Sequence, residues 1–228
     1  MTGARPKARE AVALYGGSFD PIHAGHLAVA HAAVKKFKLD RVYFIPSGLP
    51  PHKRRNLAEF PHRVAMVALA SADEPKFIPS TAEAGKDLTG RQIFYSVDTV
   101  RHFKRQFHGR AHLYFIVGAD QFLTIREWRD YETLLGLCDF IVANRPGFQM
   151  NPLRRLIPPR LLAPGEARDA ARDADVIALR HATIYSLTTV SSDVSATDIR
   201  RRVRNGKSIE GLVPPRVEEY IHKQALYR

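Results

Sequence analysis

A run of 12 residues near the N-terminus combines glycines with two histidines: Gly16-Gly17-Ser18-Phe19-Asp20-Pro21-Ile22-His23-Ala24-Gly25-His26-Leu27. It lies between a strand-like stretch, Val12–Tyr15, and a helical pattern. Glycines let a backbone turn tightly beside a ligand, and the free N–H groups at a helix start favour an anion. His23 and His26 can face one side of that helix and donate hydrogen bonds. The run therefore predicts a phosphate-binding loop.

Two other phosphate-binding motifs do not fit this chain. The segment Asn205–Ser208 ends like a Walker A loop, but Arg201 occupies the position of the required upstream glycine. No Gly-x-Gly-x-x-Gly fingerprint follows the first strand, which argues against an ordinary dinucleotide-binding dehydrogenase. A glycine turn with incidental histidines is the structural alternative for the first run, and the complete string after a strand argues against it.

The glycine and histidine run resembles the nucleotidyltransferase superfamily that carries a His-x-Gly-His signature. Further motifs resemble its nicotinate mononucleotide adenylyltransferase branch over nearly the whole chain, and the resemblance is weakest over Asn151–Asp173. These motifs are Pro50-Pro51-His52-Lys53, Phe115-Ile116-Val117-Gly118-Ala119-Asp120, Trp128, Arg145-Pro146-Gly147, Val194-Ser195-Ala196-Thr197-Asp198-Ile199-Arg200 and Leu226-Tyr227. The resemblance implies that ATP and nicotinate mononucleotide are the partners, joined to give nicotinate adenine dinucleotide and pyrophosphate in NAD biosynthesis.

The resemblance also implies which residues hold the nucleotide phosphates. In the first run they are Gly16, Gly17, Ser18, Phe19, His23 and His26. At a second helix start, around the ATP phosphates, they are Ser195, Thr197, Ile199 and Arg200. Hydroxyl, backbone N–H and guanidinium donors would converge there. His23, His26 and Arg200 are therefore the expected catalytic residues, whereas Asp20 and Pro21 are expected mainly to shape the turn.

The mononucleotide is implied to contact a further set: Lys53, Tyr95, Ser96, Gly118, Asp120, Trp128 and Arg145. Trp128, the only tryptophan, would stack on the pyridine ring, and core packing is its alternative. A solvated lysine, a helix cap and a surface arginine are the alternatives for Lys53, Asp120 and Arg145. Where the family usually has Ser-Tyr-Thr, this chain has Phe94-Tyr95-Ser96. Ser96 is expected to cap the next helix, and backbone N–H groups there to receive the ring substituent.

A mononucleotide phosphate is already ionised at neutral pH, so its in-line attack on the α-phosphorus of ATP needs no general base. Catalysis then depends on alignment and on neutralising charge at the phosphate oxygens. The sequence has no carboxylate cluster typical of a metal cage, so Mg²⁺ is expected to arrive with ATP phosphates and water, without dedicated protein ligands. Cys138, the only cysteine, lies in an apolar run and is expected in the core.

Strand-like runs alternate with amphipathic helical patterns along the chain. The predicted strands are Val12–Tyr15, Val42–Ile45, Phe77–Pro79, Leu113–Val117, Phe140–Ala143, Val176–Leu179 and Thr183–Leu187. The predicted helices are Gly25–Phe37, His62–Ser71, Ser96–Phe107, Tyr131–Leu135, Ala196–Arg204 and Pro215–Tyr227. This order predicts a Rossmann-like, doubly wound α/β fold, with a mostly parallel sheet, helices on both faces and ligands near the carboxyl ends of the strands.

Length and composition favour one domain: the chain has 228 residues, of which 45% are hydrophobic and 25% charged. Within this nucleotidyltransferase domain, residues 1–10 are expected to form a basic tail and 196–228 a C-terminal helical part. Residues 144–175 are rich in Pro, Arg and Ala and are expected to form a long surface excursion.

The net charge of +12 would attract nucleotides, nucleic acid or an anionic membrane. No apolar run approaches the ~20 residues that span a bilayer, and no signal peptide is recognisable, so a cytoplasmic protein without a membrane partner is expected. A phosphopantetheine adenylyltransferase-like enzyme is one alternative, opposed by Trp128, the Pro50–Lys53 motif and the length of the chain. A non-catalytic basic nucleic-acid-binding protein is the other, but no recognition motif supports it. The sequence leaves the oligomeric state open.

Overall fold

The computed structural model describes residues 9–48, 57–85, 89, 92–166, 175–188 and 194–228. Its strands are β1 (Glu10–Gly17), β2 (Arg41–Pro46), β3 (Phe77–Pro79), β4 (Ala111–Gly118), β5 (Asp139–Asn144), β6 (Val176–Ala178) and β7 (Thr183–Thr188). They form one sheet in the order β3-β2-β1-β4-β5-β7-β6. Every strand pair is parallel except β6 with β7. The mostly parallel, Rossmann-like sheet that the sequence predicts is confirmed.

The described helices are α1 (Ala24–Phe37), α2 (Phe60–Ser71), α3 (Ser96–Phe107), α4 (Ala119–Phe122), α5 (Tyr131–Leu137), α6 (Asn151–Arg154), α7 (Ala196–Arg204) and α8 (Pro215–Lys223). Short 3₁₀ turns lie at Ile125–Glu127 and Pro159–Leu161. Within these ranges, no helix combines the length and apolar character needed to cross a membrane. The last helix ends before the predicted Tyr227, because Ala225 and Tyr227 adopt left-handed backbone angles, with φ of 50° and 66°.

The helices pack on both faces of the sheet because successive strand residues point to opposite sides. In β1, Val12 and Leu14 join a first core, whereas Ala13 and Tyr15 join a second core. The first core is covered by α3 and α5, and the second by α1, α2, α7 and α8. Cys138 is buried in the first core, and burial raises the pKa of its thiol. This alternation fixes which helices can reach each side of a ligand site.

The predicted surface excursion, residues 144–175, needs correction over its described part. Met150, Leu153, Ile157 and Leu162 are buried and belong to the first core. The Pro and Arg residues that suggested an irregular surface segment are interleaved with these apolar side chains, which pack against the sheet. Residues 167–174, like residues 1–8 of the predicted basic tail, lie outside the described residues.

The strand order reverses between the two central strands, β1 and β4. From β1 the chain proceeds outward through β2 and β3, and from β4 it proceeds the other way through β5 and β7. Connections leaving these two strands diverge, so a crevice opens at their carboxyl ends. Gly17 ends β1 and Gly118 ends β4 at this edge.

Candidate active site

The loop after β1 is held against the sheet by the side chain of Phe19. Phe19 has a φ of 45° and a ring that is almost fully buried, edge-on to the rings of Tyr15 at 5.6 Å and His26 at 5.0 Å. A Cβ atom on Gly17 would lie 3.1–3.3 Å from this ring, so glycine leaves room for it. The Phe19 side chain therefore anchors the loop from the core, and only its backbone can face a ligand.

His23 and His26 stack at the start of α1, with ring centroids 3.7 Å apart and an interplanar angle of 27°. The backbone N–H of His23 donates to Nδ1 of His26 at 3.2 Å. Because Nδ1 accepts this bond, a neutral His26 carries its proton on Nε2. His26 therefore keeps one N–H donor for a ligand.

Both imidazoles are neutral at pH 7 before an anion binds. Burial lowers the pKa of His23 to about 4, and burial together with the neighbouring His23 lowers the pKa of His26 well below its ordinary value. Nδ1 of His23 is buried and has no hydrogen-bond partner. A phosphate beside these rings would favour their protonated forms and raise both pKa values. The pair therefore suits a site that an anion occupies.

The second predicted phosphate element, at the start of α7, lies against this loop. Oγ of Ser195 caps the helix by accepting from the Asp198 N–H at 3.1 Å. Nη1 of Arg200 donates to the backbone oxygen of Asp20 at 2.7 Å, and Nη2 donates to Oγ1 of Thr197 at 3.3 Å. The remaining guanidinium N–H groups are left over for a ligand, since arginine carries five.

Within this element, the side chain of Ile199 packs into the protein. Its side chain is 0% exposed and belongs to the second core. It therefore anchors α7 to the sheet, so that Arg200, one position later, faces the loop. Because this side chain is buried, only the backbone of Ile199 remains for the role expected of it in the ATP phosphate site.

A cavity of about 570 Å³ opens beside Arg200, within the volume range of small-molecule sites. Thr197 and Arg200 form one part of its wall, and Ala58 and Tyr227 form another. Two further basic residues, Arg201 and Arg204, also line it. Its walls thus combine the predicted phosphate element with residues from two distant parts of the chain.

Asp20, expected mainly to shape the turn, also connects these parts. Its carboxylate is 0% exposed. Oδ1 accepts from the Ala58 N–H at 3.0 Å and from the Tyr227 hydroxyl at 2.8 Å, and Oδ2 lies 3.5 Å from Nη1 of Arg200. A buried carboxylate is stable only with such partners. Asp20 therefore joins the first loop to α7 and to the C-terminal residues.

Arg63 on α2 is a site-supporting residue that the sequence analysis missed. Arg63 is 2% exposed, and its guanidinium donates to the backbone oxygens of Ser18 at 2.9 Å, Gly48 at 3.1 Å and Ala58 at 3.0 Å. Burial lowers its pKa, although Asp20 opposes this shift. Its spacing in the sequence could have identified it as buried. Arg63 lies between Phe60 and Val67 on the buried face of the helix.

The side of the crevice where the mononucleotide was expected begins at the end of β4. A Cβ atom on Gly118 would lie 2.6 Å from Oδ1 of Asp120, so this carboxylate folds back over Gly118. Burial and then the Asp120 charge raise the pKa of Tyr15 on β1. Asp120 follows the end of β4, which pairs with β1 in the sheet.

Trp128 lies just beyond, directly after the 3₁₀ turn, and is half-buried. Its ring packs edge-on against Phe115 of β4 at 6.2 Å, and its Nε1 donates to Oγ1 of Thr124 at 3.3 Å. The guanidinium of Arg129 lies 4.5 Å from the centre of the Tyr95 ring. The start of α3 and the Trp128 segment are therefore neighbours.

Tyr95, not Ser96, precedes the first turn of α3, and no side chain caps this helix. The N–H groups of Asp98 and Thr99 donate to the Tyr95 carbonyl. The capping role expected for Ser96 is wrong, because Ser96 is already the first helical residue. Its backbone N–H has no carbonyl one turn earlier within the helix, as at any helix start.

Glu83 supports this helix start and was also missed by the sequence analysis. Oγ1 of Thr99 donates to its Oε1 at 2.7 Å, and the Gly48 N–H donates to its Oε2 at 3.3 Å. Burial raises the pKa of its carboxyl group. Because Arg63 holds the carbonyl of Gly48, both polar backbone groups of Gly48 are fixed.

The remaining predicted residues differ in how far the structure describes them. Arg145 is exposed, directly after β5, at the same edge of the sheet. Lys53 lies outside the described residues. Within the described part of the chain, no group of three or more His, Cys, Asp or Glu side chains is arranged to hold a metal ion.

The chain matches known proteins over most of its length. The cytidylyltransferase-like family model matches residues 14–202. A protein of Moorella thermoacetica named "Probable nicotinate-nucleotide adenylyltransferase" is 43% identical, covering 95% of this chain and 91% of that protein. One of the same name from Geobacter sulfurreducens is 40% identical, covering 94% of this chain and 96% of its own length.

A solved structure resembles the fold. It is the Plasmodium falciparum nicotinic acid mononucleotide adenylyltransferase in complex with NaAD, with a TM-score of 0.69 and 19% identity. The alignment covers 96% of this chain and 97% of that chain.

Proposed function

Because this chain belongs to the nicotinate-nucleotide adenylyltransferases, within the cytidylyltransferase-like family, we infer that it joins ATP and nicotinate mononucleotide, giving nicotinate adenine dinucleotide and pyrophosphate. One observation supports placing this chemistry between the first loop and α7. Arg200 donates to the backbone of Asp20, 180 residues earlier, so a guanidinium faces the loop that carries the histidine pair. Two phosphate-binding elements from opposite ends of the chain thus meet at the carboxyl edge of the sheet.

The ATP phosphates bind between these two elements. The backbone of Gly16, Gly17, Ser18 and Phe19, the N–H donors of His23 and His26, and the start of α1 face them from the first loop. Ser195 fixes the first turn of α7, while Thr197 holds one side of the Arg200 guanidinium. As negative charge develops on the α-phosphate and the leaving pyrophosphate, preorganised donors stabilise the transition state more than the ground state.

The mononucleotide binds on the β4 side of the crevice and attacks in line. Its phosphate is ionised at neutral pH, so the protein aligns the reacting atoms and removes no proton. Asp120, beside Gly118, bonds a ribose hydroxyl, Trp128 stacks on the pyridine ring, and the N–H groups at Tyr95 and Ser96 face the ring carboxylate. The basic side chains of Lys53 and Arg145 complete this side.

Mg²⁺ is part of this proposal as a companion of ATP. The groups proposed to face the phosphates are N–H hydrogen-bond donors and a guanidinium. An N–H group cannot ligate a cation and a guanidinium repels one, so phosphate oxygens and water would hold the ion. When bound, Mg²⁺ offsets negative charge on the phosphates. We also propose a cytoplasmic location for this reaction, and expect no nucleic-acid or membrane partner.

Replacing Arg200 or its near neighbour Arg202 by alanine tests the site. Nε of Arg202 donates to Oδ2 of Asp198 at 2.9 Å, so it serves as a control for loss of positive charge from the same helix. With ATP labelled at the α-phosphate, we expect Arg200→Ala to lower kcat/KM for ATP by about 10- to 100-fold, as for loss of a charge-assisted hydrogen bond. Arg202→Ala should change it by no more than about threefold.

Equal losses of kcat/KM for ATP in the two variants would contradict a specific role for Arg200 and would indicate a diffuse basic patch instead. Absence of label transfer to nicotinate mononucleotide by the unmodified protein would reject the function itself.

A further inference from the structure

The last residues of the chain turn back onto the loop after β1. Beyond α8, Ala225 and Tyr227 have φ values of 50° and 66°, and the Leu226 N–H donates to the Ile221 carbonyl at 3.0 Å. This turn brings the Tyr227 hydroxyl to Oδ1 of Asp20, 207 residues earlier, at 2.8 Å. Left-handed angles at two residues with side chains are unfavourable in isolation, so tertiary contacts maintain this turn.

Asp20 contacts both that hydroxyl and the guanidinium of Arg200. Nη1 of Arg200 contacts both the backbone oxygen of Asp20, at 2.7 Å, and its Oδ2, at 3.5 Å. Oδ2 is buried and accepts no hydrogen bond, whereas Oδ1 accepts from Tyr227 and Ala58. The carboxylate is therefore oriented through Oδ1 and presents Oδ2 to the guanidinium.

We propose that Tyr227 is a positioning residue of the ATP site: its hydroxyl orients the buried Asp20 carboxylate, which in turn orients the guanidinium of Arg200. Burial and the Asp20 charge raise the pKa of Tyr227, so the hydroxyl remains a donor at all physiological pH values. Without the Tyr227 hydroxyl, Oδ1 of Asp20 loses one hydrogen-bond donor. Arg200 can supply a replacement donor by moving toward Asp20. That movement withdraws the guanidinium from the nucleotide phosphates. The role rests on the proposed function only in assigning Arg200 to ATP.

Tyr227→Phe removes the hydroxyl and keeps the ring. Asp20 retains its bond from the Ala58 N–H, whose residue is also held by Arg63, so the loop keeps its other support. Tyr220→Phe is the matched control, because it removes a hydroxyl that contacts Nδ1 of His62 at 2.9 Å on the same C-terminal part. Melting temperatures report whether either variant loosens the fold.

The primary measurement is calorimetric binding of the non-reacting analogue α,β-methylene-ATP with Mg²⁺. We expect Tyr227→Phe to raise its Kd about tenfold, the size expected for a hydrogen bond to a charged group. KM for ATP should rise in parallel, KM for the mononucleotide should stay within about twofold, and Tyr220→Phe should leave both unchanged. Unchanged analogue binding by Tyr227→Phe, or equal weakening by both variants, would overturn the proposal.

A double-variant cycle separates positioning from general loosening of the C-terminal residues. If Tyr227 acts through Arg200, its substitution should cost little once Arg200→Ala is present, so the two effects should not multiply. Independent, multiplying effects would also overturn the proposal. If the unmodified protein binds the analogue but transfers nothing to nicotinate mononucleotide, the proposed function fails, while these binding measurements still test Tyr227.

Discussion

A single hydrogen bond determines how His26 can act. Because its Nδ1 accepts from the His23 backbone, its Nε2–H is the donor available to phosphate. Burial lowers the pKa values of the stacked rings, which favours their neutral forms and leaves them able to gain charge when an anion binds. In the proposed site, the positive charge that a bound phosphate would induce on these rings lies where the reaction would develop negative charge.

At the residue scale, we expect His26→Ala to lower kcat by about 10² or more, as for removal of one preorganised donor to a transition state. His31→Ala is the control, because His31 lies on the same helix with a 57% exposed side chain, 3.8 Å from Glu74. It should retain nearly full activity. Steady-state rates at saturating substrates, with melting curves for both variants, make the comparison. Near-normal turnover by folded His26→Ala would remove His26 from the catalytic set.

The sequence predicts the histidine pair, Ser195 and Arg200 because each lies in a contiguous motif. It could not predict the contacts of Asp20 or Arg63, whose partners are separated from them by up to 207 and 45 residues. A buried charge is recognisable only when its distant partners are known. A motif implies a shared site for all its members, and it does not show that the side chains of Phe19 and Ile199 lie in the core.

At the scale of elements, the segment between β4 and α5 forms the side of the crevice where we propose that the mononucleotide binds. Strand β4 passes directly into the four-residue α4 and then a 3₁₀ turn, which ends at Trp128. These elements are too short to show a helical period, so the sequence predicts neither of them. The long helices and central strands were predictable within a few residues, because their apolar patterns repeat and their ends carry Gly or Pro.

Trp128→Ala tests whether this segment binds the acceptor. Because the ring is half-buried against Phe115, its position is compatible with both core packing and substrate stacking. These two roles predict different kinetic results for the variant. Stacking predicts that kcat/KM for nicotinate mononucleotide falls about 10- to 100-fold, while KM for ATP stays nearly constant. Trp128→Phe keeps a flat ring and should recover much of the loss.

The fluorescence of this sole tryptophan should also respond when the mononucleotide binds. No response, together with a large fall in the melting temperature of Trp128→Ala, would restore the core interpretation.

At the scale of the whole molecule, the order of the strands gathers residues that are far apart in sequence. The reversal between β1 and β4 opens the crevice, α7 reaches the first loop from one side, and α3 begins beside the Trp128 segment on the other. Alternation of strands and helices predicts the sheet and its ligand edge. It does not predict which short turns form each wall, because those depend on side-chain contacts across the crevice.

The start of α3 should select the acid over the amide form of the substrate. Unpaired N–H groups and the partial positive charge of a helix start suit a carboxylate, whereas an amide NH₂ cannot accept their hydrogen bonds. The guanidinium of Arg129 over the Tyr95 ring adds positive charge nearby. Substitution of Phe94 for the usual serine removes no backbone donor, so this preference survives it.

The central claim is tested most directly by pyrophosphate release from saturating ATP and Mg²⁺ with three acceptors: nicotinate mononucleotide, nicotinamide mononucleotide and phosphopantetheine. We expect kcat/KM for the nicotinate form to exceed that for the nicotinamide form by about 10² or more, because unpaired site donors penalise the amide. Phosphopantetheine should give no release above background. Equal kcat/KM for the two pyridine mononucleotides would contradict carboxylate recognition at α3, and release with phosphopantetheine alone would contradict the assigned reaction.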